Sequence, residues 1–147
     1  MLDIIKNEIK YINRYYFIII FVSIFSIFLY GKYRCDNITK HKDVLEFSLF
    51  HKSEELGLDG WSITHYCLYV VFGYLYPNVL VVTISLGILW ELFETYVGIY
   101  KPDVISGFGF CELSNNRYKV WWYGKWSDVV LNILGFLSGM TLHNYLN

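Results

Sequence analysis

The chain has 147 residues, room for one domain. Hydrophobic residues make up 55% of it and fall in long blocks, which excludes an ordinary soluble core and points to a membrane protein. The net charge is −1 and the mean hydropathy +0.36, so no basic surface argues for nucleic acid.

Residues 1–14 place Leu2, Ile5, Ile9 and Ile12 on one helical face and Lys6, Lys10 and Asn13 opposite, as an amphipathic interfacial segment does. Residues 15–30 are apolar apart from Ser23 and Ser26. A basic segment before an apolar run also fits a secretory signal peptide. However, Gly31-Lys32-Tyr33-Arg34 offers no small-x-small cleavage site, and the stretch reads as an uncleaved first transmembrane helix near 15–31. Residues 32–60 follow as a polar loop with charges of both signs, its middle (43–56) holding a candidate short surface helix.

The second apolar run, 61–76, stops at Pro77-Asn78, and the third begins at once. A Pro-Asn turn between apolar runs is a tight hairpin signal, so these two helices are expected to be antiparallel neighbours. The third run, 79–97, has 19 residues and would rise about 28 Å, enough to cross a hydrocarbon core of about 30 Å. Near its end stand Glu91 and Glu94, three residues apart and therefore on one helical face. An ionised group costs about 2.5–3.5 kcal/mol at mid-bilayer and less near the interface. A helix C-terminus carries partial negative charge and repels carboxylates further. Neither residue caps a helix, so a compensating cationic group is expected beside them.

Residues 98–127 form a second polar loop, with Trp121, Trp122, Tyr123 and Trp126 near its end. Aromatic clusters beside spans mark the headgroup level. A stacking platform for bases is the alternative, but it lacks a basic groove. The fourth run, 128–146, carries Asp128, Asn132, Gly135, Gly139 and His143. Gly135-x3-Gly139 is a small-xxx-small pattern that lets backbones approach closely, within the chain or between copies in a homo-oligomer. The fold class is therefore all-α: a polytopic membrane protein with about four transmembrane helices, near 15–31, 61–76, 79–97 and 128–146. Residues 15–147 are expected to form a single membrane domain.

Lys and Arg counts orient it. The first 14 residues carry three, the Pro77-Asn78 turn and the last helix end none, and the two loops nine. The positive-inside rule then puts loops 32–60 and 98–127 in the cytoplasm and both termini outside. Cys35, Cys67 and Cys111 give an odd count with no metal-type spacing. Cys67 reads as a small core residue. Cys35 and Cys111 could pair only in an oxidising compartment, which the cytoplasmic placement argues against.

Polar groups from three helices gather at the loop-side leaflet: Asp59 before the second helix, His65 a turn into it, Glu91 and Glu94 near the end of the third, and Asp128 and Asn132 opening the fourth. Asp128 or Ser127 can alternatively cap the fourth helix, and Asn132 can serve as interhelical glue. Oxygen donors suit a hard cation, Ca²⁺ or Mg²⁺, held by Glu91, Glu94, Asp128 and Asn132. His65, a poor ligand for such ions, suits a general base. Base, cation and leaflet location together favour chemistry on a phosphorylated lipid headgroup.

At these residues the pattern Asp59-x5-His65, Trp90-Glu91-x-x-Glu94 and Trp126-x-Asp128-x3-Asn132-x2-Gly135-x3-Gly139 resembles the core of base-exchange phosphatidylserine synthases, over about 59–140. The resemblance implies phospholipid headgroup exchange, with His65 as base beside Asp59 and calcium held by Glu91, Glu94 and Asp128. The last-helix pattern is also similar to VanZ-like small membrane proteins. That likeness implies the other class of function, a non-enzymatic accessory, structural or virion-membrane component whose partners are membrane lipids or proteins. A channel or transporter is a third class, disfavoured because no polar stripe crosses both leaflets.

Overall fold

The computed structural model describes residues 2–37, 44, 45, 47, 58–113 and 117–147; most of the candidate surface helix over 43–56 lies outside them. The described chain is mostly helical: α1 (Leu2–Ile9), α2 (Arg14–Asp36), α3 (Gly60–Leu75), α4 (Leu80–Tyr100) and α5 (Trp126–Leu146). Three of these, α2, α4 and α5, are long and apolar enough to cross a membrane. With 16 residues, α3 rises only about 24 Å, short of a hydrocarbon core of about 30 Å. Between α4 and α5, where the sequence reads as a polar loop, the chain forms a one-turn 3-10 helix (Asp103–Ile105) and an antiparallel hairpin. Its strands are β1 (Phe110–Leu113) and β2 (Arg117–Val120), in the register Phe110↔Val120 to Leu113↔Arg117.

The elements divide into two compact units. The first contains residues 1–12, 44–91 and 125–147. Here α3 and α5 run parallel and in register along the whole of α3. Ser62 bonds Asp128, His65 bonds Asn132, Tyr66 bonds Ser138 at 3.0 Å, and His143 Nδ1 lies 2.8 Å from the Tyr74 carbonyl. Three glycines let the two backbones touch. A Cβ on Gly73 would lie 2.0 Å from the Phe136 carbonyl oxygen, and one on Gly135 2.4 Å from that of Tyr66. On Gly139 it would lie 2.1 Å from that of Val70. The small-xxx-small face read from the sequence thus packs on α3 of the same chain. The start of α4 is held by α1: the buried Glu8 carboxylate accepts from the backbone N–H groups of Val81 at 3.1 Å and Val82 at 2.8 Å. It satisfies two amides that a helix start leaves open, at the positive end of the α4 dipole.

The second unit contains residues 13–43 and 92–124. Asn13 caps α2, its side chain accepting from the amides of Tyr15 and Tyr16. Helix α2 continues past the apolar run to Asp36, because its last turns pack against the hairpin segment. Gly31 abuts the Phe108 carbonyl, the Arg34 guanidinium sits 4.4 Å from the Trp121 ring centroid, and Phe28 meets Trp122 edge-on at 5.0 Å. Trp121 and Trp122 are therefore buried core residues of this unit, whereas Tyr123 and Trp126 are exposed. Cys35 and Cys111 form a disulfide, against the sequence expectation; α2 ends where β1 begins its pairing, and their Cα atoms stand 5.5 Å apart. Outward from α2 point Phe17, Phe21, Phe25 and Leu29, the apolar face a membrane helix offers to lipid.

Candidate functional site

The site lies in the first unit, where the first turns of α3 and α5 lie beside Glu91 of α4. Helix α3 starts with a capping box: the Asp59 carboxylate accepts from the Ser62 amide at 3.1 Å, while the Asp59 amide donates to Ser62 Oγ. Ser62 Oγ also donates to Asp128 Oδ1 at 2.6 Å, tying the first turn of α3 to that of α5. Asp128 is thus not the cap of α5. That position belongs to Lys125, which makes no side-chain cap bond. In the first turn, Asp128 still sits where a helix dipole favours negative charge.

One turn on, His65 Nδ1 lies 3.1 Å from Asn132 Oδ1 and 3.7 Å from Glu91 Oε1. Glu91, which opposes the dipole of its own helix, is met by the opposite end of another. The Lys125 backbone N–H, at the N-cap of α5, donates to Glu91 Oε2 at 2.8 Å. The Lys125 ammonium meanwhile pairs with Asp59 Oδ2. The compensating positive potential expected beside Glu91 is therefore supplied by the N-terminal end of α5, with the Lys125 ammonium close by on Asp59. One lysine links all three helices.

Glu91, Asp128 and Asn132 are buried, at 6%, 4% and 1% exposure, and His65 is half-buried. Ligand atoms of His65, Glu91 and Asp128 all lie within 4.8 Å of one another. Donors around one ion at about 2.0–2.6 Å are separated by up to about twice that distance, so this group fits a single divalent cation. Glu94 is half-buried and is not one of these three. Asn132 turns its oxygen to the His65 ring, and its Nδ2 is buried without a hydrogen-bond partner among the described residues. Gly87 makes room for it: a Cβ there would lie 2.9 Å from Asn132 Nδ2 and 2.2 Å from the Tyr69 hydroxyl.

The structure thus gathers Asp59, His65, Glu91, Asp128 and Asn132. Sequence reasoning missed Ser62, Lys125 and Gly87. Ser62 had a signal: Asp59-x-x-Ser62 is a capping-box spacing, and Ser62 shares a helical face with His65. Lys125 had none, since its use rests on a backbone N–H that any residue but proline supplies. Comparison with protein-family models, with curated proteins and with solved structures finds no match.

Proposed function

We propose that this is a four-span membrane protein acting on phospholipid headgroups, with a divalent cation held by Glu91 and Asp128 and with His65 as general base. The observation that carries the reading is the convergence of His65, Glu91 and Asp128 within 4.8 Å from three different helices. Two buried carboxylates facing each other across a helix junction are costly unless a cation or proton joins them. Two carboxylates plus substrate phosphate oxygens are a usual setting for Mg²⁺, and a more open oxygen set suits Ca²⁺. When bound, such an ion neutralises phosphate charge. Asn132 accepts from Nδ1–H of His65, which leaves Nε2 as the basic nitrogen. In a headgroup exchange, His65 takes the proton of the incoming alcohol as its oxygen bonds to phosphorus. The bond to the departing headgroup alcohol breaks, and that oxygen recovers the proton. The parallel run of α3 beside α5 supports reading α3 as a fourth crossing.

Thermal unfolding of the detergent-purified protein tests the site. Ca²⁺ or Mg²⁺ added after EDTA should raise Tm, and Glu91→Gln should abolish the shift, by mass action on the folded state. Equal melting with and without either ion in the wild-type chain rejects the site. Where the shift is present, incorporation of a labelled headgroup alcohol into membrane phospholipid, lost in His65→Ala, tests the chemistry.

The second reading is a non-catalytic, VanZ-like membrane component. It is favoured by how completely the polar groups tie helices together: Asp59 to Lys125, Ser62 to Asp128, Lys125 to Glu91. On that reading His65→Ala leaves lipid turnover unchanged.

A further inference from the structure

Chain order and one covalent bond together assign a side to the site. Cys111 lies between α4 and α5, on the side of the membrane where α4 ends and α5 begins. Cys35 lies in the last turn of α2 and is joined to it. The end of α2 and the α4–α5 connection therefore share one side, and the chain crosses an even number of times between them. Helix α4 supplies one crossing. The other falls to α3, the helix described between α2 and α4, which runs parallel to α5 throughout its length. Asp59, at the start of α3, and Lys125, at the start of α5, then lie on the same side as the disulfide.

We infer that this side is an oxidising, exoplasmic compartment, and that the site takes its cation and its lipid headgroups from there; the second half of the inference rests on the function proposed above. Cytosolic thiols are kept reduced, whereas secretory, periplasmic and extracellular spaces let disulfides form and persist. Joining the two cysteines removes two protons and two electrons from a pair of thiols and forms one S–S bond. A disulfide-carrying oxidoreductase of that compartment accepts them and leaves as the dithiol. The nine basic residues of the two loops argue for the opposite side. Yet three of them have partners in the fold: Lys32 pairs with Asp36, Arg34 is buried on Trp121, and Lys125 holds Asp59. Charge bias shifts an insertion preference, while a disulfide demands a compartment. On the other side lie the Pro77-Asn78 turn and α1 with Lys6 and Lys10. Exoplasmic Ca²⁺ sites function with Kd of about 10⁻⁴–10⁻³ M, and the shift in Tm should saturate in that range.

Two measurements test the side without any use of activity. First, the full-length wild-type chain in bacterial spheroplasts is trapped with N-ethylmaleimide and its cysteines are mapped by mass spectrometry. Cys35 and Cys111 should be found joined, and Cys67 alkylated. Recovery of Cys35 and Cys111 as alkylated thiols overturns the inference. Second, Leu58→Cys and Asn78→Cys are each placed in a chain whose own three cysteines are serine. A membrane-impermeant maleimide should label Leu58→Cys in intact spheroplasts and Asn78→Cys only after permeabilisation. The reverse pattern, or labelling of both from outside, overturns it. Sidedness as expected with no cation-dependent Tm shift in the wild-type chain would reject the functional reading and leave the compartment standing; a shift with reversed labelling would do the opposite.

Discussion

Glu91 shows how a carboxylate is kept near the end of an apolar helix. Its own helix repels it, and the N-terminal end of α5 answers, presented to it through the Lys125 amide. The arrangement depends on Ser62, whose hydroxyl serves the α3 cap and Asp128 at once. Ser62→Ala should lower stability by about 1–3 kcal/mol, since it strips a buried carboxylate of its donor and breaks a capping box. Reversible denaturation in mixed micelles measures this, and a neutral Ser62→Ala would mean that the Ser62–Asp128 bond does not form. His65 separates two roles that the geometry places close together. As a base, its removal leaves the Tm shift with Mg²⁺ intact and abolishes headgroup exchange. A cation shift lost in His65→Ala would instead make the imidazole a ligand and favour Zn²⁺ or Mn²⁺ over Mg²⁺.

Among elements, the decisive pair is α3 with α5. A hydrogen-bonded pair at each end and three glycines between bring their backbones into contact, and this contact sets the depth at which His65 meets Asn132. Gly139→Ala puts a Cβ on the Val70 carbonyl, and overpacking of this kind costs about 1–3 kcal/mol. Thr141→Ala, at an exposed position two residues on whose hydroxyl bonds its own helix, is the matched control and should be nearly neutral. Equal melting of the two variants would show that the helices can separate without loss. At the other end of the unit, Glu8→Ala exposes two amides at the start of α4 and should cost about 0.5–2 kcal/mol. Hydrogen exchange at Val81 and Val82 reads that loss directly. The glycine pattern on α5 was legible in the sequence because period and residue size state it. The role of Glu8 was not, because a charge at an amphipathic edge reads as solvated until its partner helix is known.

At the scale of the whole molecule, the apolar runs marked where α2, α3, α4 and α5 lie, but the Pro-Asn turn pointed to α3 and α4 as packed neighbours, whereas the closely packed pair is α3 with α5. What the sequence concealed is long-range. Nothing local marks Phe110–Leu113 and Arg117–Val120 as paired strands or Trp121 and Trp122 as buried, nor Cys35 as the partner of a cysteine 76 positions away. Counting charges failed to anticipate that bond because it treats Arg34 as a solvated loop cation, whereas the fold stacks it on Trp121. Closing a long loop stabilises a free chain by about 2–4 kcal/mol. On the function proposed above the gain should fall at the low end, since α2 and α4, held in a membrane, would already restrict the unfolded ensemble. Its effect should also be local. Reduction, or Cys35→Ser with Cys111→Ser, should speed amide exchange in β1, β2 and the last two turns of α2. The amides of α3 and α5 should be unmoved, because their ties are to each other. Exchange that rises equally throughout would instead place the disulfide among the supports of the site.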